Sequence, residues 1–164
     1  SDTSRLTDET IEFSHSKDLI LALASTIIPA GGKHPGFAVS NEINALITIL
    51  NDCYKLEDQK TIKTGLETIN RMANEKYKKD FIALSDDEKH NFLGEVDKTY
   101  FDKNTKEENK AKYYGILKEA TLLTYFTNEK VMTDLFSYTK VPGKYDGALK
   151  VDANSYATIF GLGI

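Results

Sequence analysis

Apolar residues recur at spacings of three and four along successive segments of this chain, and each segment ends at proline, glycine or a charged stretch. That period places apolar side chains on one face of an α-helix, whereas a half-buried strand needs strict alternation. The first segment begins near Ser16 and ends before Pro29, because a residue preceding proline disfavours the helical conformation. The pattern therefore predicts an all-α fold, a bundle of five to six helices with an irregular C-terminal tail.

The later segments repeat the same period. They predict a second helix over about residues 40–54, a third over about 58–77 and a fourth from residue 85 onward. A fifth helix ends at about residue 125, and a sixth spans about residues 128–138. Ser85 and Glu88 have the spacing of a capping box, in which each side chain satisfies a backbone amide at the helix start. Thr105 and Glu108 have the same spacing, inside a charged connection over residues 102–112, and predict a second capping box. Residues 30–37 are dense in glycine and proline and predict a loop.

The division of the chain follows from where these patterns begin. Residues 1–13 lack a clean period and predict a flexible N-terminal arm, and residues 14–164 form a single helical domain. Gly65 lies inside the third helix, where glycine costs up to about 1 kcal/mol, so it indicates close helix packing. The lone cysteine, Cys53, is expected to be a small buried apolar residue. The predicted core residues are Leu23, Ile27, Leu46, Leu50, Leu66, Ile69, Leu93 and Leu117.

Composition and charge exclude several classes of function. With 21 Lys and Arg against 25 Asp and Glu, the net charge is −4, which argues against nucleic acid as a partner. No apolar run approaches the roughly 18 residues that span a bilayer. The three histidines lie far apart, and the sequence has neither a paired metal-ligand motif nor a phosphate-binding glycine loop. We therefore expect no catalytic residue, no bound cofactor and no metal in this chain.

Aromatic residues are concentrated near the C-terminus, between Tyr113 and Tyr145. One interpretation is that they form the core around the last helices. The other is that some anchor a partner protein, because aromatic residues bury much area at little cost in entropy. The loop from Ile28 to Ala38 and the segment 138–147 combine aromatics with proline and glycine, so we predict that they bind a partner. The predicted partner-binding residues are Pro29, Pro35, Gly36, Phe37, Tyr125, Tyr138, Pro142, Gly143 and Tyr145.

Several short motifs follow one another along the chain. Residues 24–30 read Ala-Ser-Thr-Ile-Ile-Pro-Ala, and Pro35-Gly36 follows. This pattern resembles the opening signature of the gluconate 2-dehydrogenase subunit 3 family. The run from Leu122 to Thr127 is similar to its Gly-Tyr-Phe-Thr motif. Residues 138–147 match its ending, in which tyrosine precedes Val-Pro-Gly-x-Tyr-x-Gly. The matches span residues 19–147, most of the chain.

The resemblance implies a function that composition does not. It implies a non-catalytic accessory subunit that binds, stabilises and helps to export an FAD-dependent dehydrogenase of the glucose-methanol-choline type, acting on a sugar or sugar acid. FAD is expected in that large subunit, and a cytochrome c subunit often accepts its electrons. The implied location is the periplasm or envelope. The chain begins with Ser, so either it was trimmed or a signal segment was removed. The alternative is a stand-alone helical module that binds another envelope protein or a small ligand.

Overall fold

The computed structural model describes residues 11–31, 35–40, 42–106 and 111–135. Within these ranges the chain forms helices and no strand, which confirms the all-α prediction. The predicted irregular tail lies outside the described residues. The helices are α1 (Lys17–Ile27), α2 (Gly36–Ser40), α3 (Ile43–Asp52), α4 (Leu56–Tyr77), α5 (Asp86–Phe101), α6 (Lys112–Thr127) and α7 (Glu129–Leu135), with 3-10 turns at Ser14–Ser16 and Phe81–Ala83.

The described ranges hold seven α-helices, where five or six were predicted. The extra element is α2, a short helix that begins at Gly36 inside the predicted loop. Glycine and proline predicted that the first helix ends before this loop, and α1 does end at Ile27. The chain returns to a helical conformation at Gly36, earlier than predicted. The loop prediction is therefore wrong for residues 36 and 37.

Helix α1 lies at the centre of the packing and contacts α2, α3, α5 and α6, while α4 packs along α6. Every predicted core residue except Ile27 is buried. Ile27 is half-buried at the end of α1, where the helix emerges toward the surface. Burying apolar surface at these helix contacts is the main favourable contribution to folding.

The capping box at the start of α5 is confirmed. The Ser85 amide donates to Glu88 Oε2 at 2.8 Å, and the Glu88 amide donates to Ser85 Oγ at 3.3 Å. Only Thr105 of the second predicted capping box lies within the described residues, in which α6 begins at Lys112 without a side-chain cap. Thr105 instead donates from Oγ1 to Asp102 Oδ2 at 3.1 Å, within the turn that follows α5. Glu108 lies outside the described residues.

Two further predictions concern single residues. Phe13, the last residue of the predicted arm, is buried, and its amide donates to Asn51 Oδ1 at 3.1 Å. The arm is therefore anchored at Phe13, and residues 1–10 lie outside the described ranges. The prediction that Cys53 is buried is wrong, because the residue is exposed just past the end of α3. Asp52, which precedes it, is exposed as well.

Gly65 lies where α4 meets α6, as the prediction of close helix packing requires. A Cβ atom at Gly65 would lie 2.2 Å from Cγ of Tyr113 and 2.3 Å from its Cβ. Since the Cβ of Tyr113 is fixed to the backbone, rotation of the side chain cannot remove the overlap. The glycine therefore sets the distance between the two helices.

We expect Gly65→Ala to lower the free energy of unfolding by about 1–2 kcal/mol, because the overpacking exceeds the gain in helix propensity. Gly94→Ala in α5 is the matched control, since a Cβ there meets nothing within 4 Å. That control is expected to gain up to about 1 kcal/mol, the cost of a mid-helix glycine. Urea unfolding of both variants measures the difference. Equal effects of the same sign would show that Gly65 does not set the packing distance.

Candidate partner-binding surface

The loop that follows α1 is held closed by backbone hydrogen bonds. The Ile28 amide donates to the Ala24 carbonyl at 2.9 Å and ends the helix, and the Phe37 amide donates to the Ile28 carbonyl at 2.9 Å. Within the loop, Pro29 is exposed and Pro35 is half-buried. A loop with fixed ends and a restricted backbone loses little entropy on binding, which suits it to recognition.

Gly36 is buried at the base of this loop and has a backbone φ of 69°. A Cβ atom there would lie 2.4 Å from the Ala30 nitrogen and 2.9 Å from the Pro29 carbonyl carbon. Both neighbours are backbone atoms, so they cannot rotate away. The two ends of the loop approach each other as closely as they do only because residue 36 has no side chain.

Phe37 and Tyr125 are both buried in the core of the chain, at 0% and 2% exposure. Their rings are therefore not available as surface anchors, and the structure corrects their predicted role to packing. Burial raises the pKa of the Tyr125 hydroxyl, and a backbone contact with Gly36 partly offsets that rise. The other predicted anchors, Tyr138, Pro142, Gly143 and Tyr145, lie outside the described residues.

A cavity of about 460 Å³ opens over the outer face of α1, between the loop, α2 and the first turns of α5. Its α1 lining includes Ala22, Ser25 and Thr26. The two hydroxyls donate back to their own helix, at 2.7 Å to the carbonyls of Leu21 and Ala22. The α1 side of the cavity therefore presents mostly carbon to whatever enters it.

A second cavity of about 210 Å³ adjoins the first, because Thr26 and His90 line both. Its lining also includes Gly94 of α5 and Lys118 of α6. We refer to these two adjoining cavities together as the α1 groove. The loop that was predicted to bind a partner lines one end of this groove.

An ion pair closes the far end of the α1 groove and joins α5 to α6. Lys118 Nζ donates to Asp97 Oδ1 at 2.5 Å, and the Tyr114 hydroxyl donates to the same oxygen at 2.8 Å. Burial alone raises the pKa of the Asp97 carboxyl, but the hydrogen bonds from Lys118 and Tyr114 lower it below its usual value overall. Burial, together with Asp97, raises the pKa of the Tyr114 hydroxyl. The charges are thus satisfied within the chain and serve to hold two helices together.

Sequence reasoning missed the residues that α5 and α6 contribute to the groove, chiefly Lys89, His90 and Lys118. These residues are ordinary polar positions in the sequence, and only the packing of α5 against α1 brings them beside the loop. One signal was available: α1 carries no charged residue after Asp18, although a surface helix normally has a polar face.

No three His, Cys, Asp or Glu side chains in the described ranges are grouped closely enough to hold a metal ion. None of the helices in those same ranges combines the length and apolar content that a bilayer crossing requires.

A family model described as gluconate 2-dehydrogenase subunit 3 matches residues 14–143. No curated protein and no solved structure matches the chain significantly. The matched range runs from the first 3-10 turn through α7, and it contains the loop after α1 and the whole of the α1 groove. Since the match covers most of the sequence, the chain belongs to the gluconate 2-dehydrogenase subunit 3 family.

Proposed function

We propose that this protein is a non-catalytic accessory subunit that binds, stabilises and helps to export an FAD-dependent sugar or sugar-acid dehydrogenase. The family match over residues 14–143 is the observation that carries the proposal, since the family name itself denotes a subunit of a dehydrogenase complex. In this proposal the flavoprotein supplies FAD and the hydride chemistry, and a cytochrome c subunit accepts the electrons where the complex contains one. The complex works in the periplasm or at the envelope.

The structure supports this role through the shape of one surface. The loop after α1 is fixed at both ends by backbone hydrogen bonds and by the close approach at Gly36. Beside it lies a groove whose α1 side is mostly apolar. A preformed, largely apolar surface suits a stable subunit contact, because little conformational entropy is lost when the partner covers it. Pro29 and Pro35 remain our predicted contacts in that loop, whereas the buried Gly36 holds the loop closed.

Co-expression with the flavoprotein from the same organism tests the proposal. We expect a tag on this chain to retain a yellow complex whose bound FAD is equimolar with the flavoprotein. We also expect the yield of folded flavoprotein to fall severalfold when this chain is omitted, because a partner that binds the native state stabilises it. An unrelated tagged helical protein serves as the control.

Two results would contradict the proposal. If this chain retains no flavoprotein and the flavoprotein folds, reaches its compartment and oxidises its substrate equally well without it, the accessory role is wrong. A flavin absorption band in this chain purified alone would contradict the assignment of FAD to the partner.

A further inference from the structure

The short stretch from Gly36 to Glu42, which contains α2, is held at both ends by the end of α6. At one end, the Tyr125 hydroxyl contacts the backbone of Gly36. At the other end, the Asn128 side chain donates from Nδ2 to Glu42 Oε1. Tyr125 and Asn128 lie within one turn of each other, where α6 gives way to α7. The position of the stretch therefore depends on this junction between the two helices.

The same Asn128 side chain also begins α7. Its Oδ1 accepts a hydrogen bond from the Val131 amide at 3.0 Å, as the side chain of an N-cap residue does at a helix start. Val131 is buried, so the first turn of α7 packs into the core. One amide group therefore joins two elements, because its oxygen holds α7 and its nitrogen holds Glu42 at the start of α3.

Glu42 carries this contact toward the loop after α1. It is the residue before α3, where a side chain normally caps its own helix, yet the Glu42 side chain does not cap α3 and instead accepts from Asn128. Between Gly36 and Glu42 lies Phe37, whose ring is buried and whose amide closes the loop on the Ile28 carbonyl at 2.9 Å. Displacing Glu42 therefore displaces the short stretch that closes the loop.

Both elements that Asn128 joins lead to predicted partner contacts. The loop carries Pro29 and Pro35, and α7 leads in sequence to residues 138–147, the second segment that we predict to bind the partner. Two segments held in one arrangement before binding lose less entropy than two that move independently. The contact between Asn128 and Glu42 therefore has a consequence for binding as well as for stability.

We propose that Asn128 is a positioning residue for partner binding, which locks α7 and the loop after α1 into one preformed surface for the dehydrogenase's catalytic subunit, the flavoprotein. A movement of α7 reaches the loop through Glu42, and closure of the loop in turn holds α7 in place. This inference rests on the proposed function for the identity of the partner. The coupling within this chain is measurable without that partner.

Asn128→Asp tests the contact with Glu42 separately from the cap of α7. Aspartate caps a helix start as well as asparagine does, and the helix dipole favours its charge there. At neutral pH, however, the substitution places a second carboxylate against that of Glu42, in place of a hydrogen-bond donor. Adding Glu42→Gln supplies an amide that donates to the new carboxylate, which restores the hydrogen bond with donor and acceptor exchanged. Glu42→Gln alone keeps an acceptor for Asn128 and is the matched control.

Amide hydrogen exchange of the isolated full chain is the first measurement. We expect Asn128→Asp to speed exchange of the Phe37 amide at least about tenfold through local opening of the loop, and the double variant to restore the slow exchange. The amide of Ile69, buried in the middle of α4, reports global unfolding and is expected to exchange alike in all variants. With the catalytic subunit co-expressed, only Asn128→Asp is expected to weaken its capture severalfold.

Four results would overturn the inference. Unchanged exchange of the Phe37 amide in Asn128→Asp would show that α7 and the loop are independent. Equal acceleration at Phe37 and Ile69 would show that Asn128 only stabilises the whole fold. Failure of the double variant to restore slow exchange would show that the effect does not pass through Glu42. Faster exchange at Phe37 with unchanged capture would show that the partner does not require the preformed surface.

Failure of the proposed function gives a different result. If the wild-type chain captures no catalytic subunit, the accessory role is wrong, whereas the exchange rates of the isolated variants still decide whether Asn128 couples α7 to the loop.

Discussion

Replacing Leu117 by alanine is expected to lower the free energy of unfolding by about 2–5 kcal/mol. Leu117 is 1% exposed in the middle of α6, the helix that packs against α1, α3, α4 and α5. Truncation removes the transfer free energy of the lost methyl groups and leaves a cavity that four neighbouring helices cannot all close. Such a loss is a large fraction of the stability of an ordinary domain.

Leu123→Ala provides the matched control, since Leu123 lies on the same helix and is 52% exposed. The substitution is chemically identical, and alanine has a helix propensity at least as good as that of leucine. We expect a change within about 0.5 kcal/mol, as for surface substitutions in general. Urea unfolding followed by circular dichroism at the helical minimum measures both. A loss at Leu123 as large as that at Leu117 would mean that α6 is oriented differently in the bundle.

The helical period predicted the core well because it is a local property of the sequence. Leu66 and Ile69 are spaced by one turn, and both are buried exactly where α4 meets its neighbours. The same argument overreached at Ile27, since periodicity identifies a face of a helix but not the point at which the helix leaves the core. Burial at a helix end depends on what packs beyond it, and that is set by distant residues.

The partner-binding prediction was less successful for a related reason. Phe37 was predicted to bind a partner because it follows proline and glycine, and Tyr125 because it lies in the aromatic-rich region, yet both rings are buried in the core. Aromatic residues suit a core and an interface for the same reason, which is their large apolar area. Only the tertiary arrangement decides between the two, and no local pattern encodes it.

Gly36→Ala is expected to destabilise the chain by about 2–5 kcal/mol, combining the cost of the left-handed conformation with that of overpacking. The backbone φ of 69° disfavours any side chain, and the new Cβ would lie 2.4 Å from the Ala30 nitrogen. Gly31→Ala is the control within the same loop, because a Cβ at Gly31 meets nothing within 4 Å. There, alanine restricts the unfolded chain and is expected to be neutral or to stabilise by about 0.4–1 kcal/mol.

The pair of glycine variants also connects the fold to the proposed function. If the closed loop presents Pro29 and Pro35 to the catalytic subunit, opening it at residue 36 reduces capture by more than the loss of folded protein explains. The measurement is capture of the catalytic subunit at a temperature where unfolding curves show both variants to be folded. Weakened capture by Gly36→Ala, with unchanged capture by Gly31→Ala, is the expected result. If folded Gly36→Ala captures the catalytic subunit as the wild type does, the loop only closes the bundle, and its prolines are structural residues.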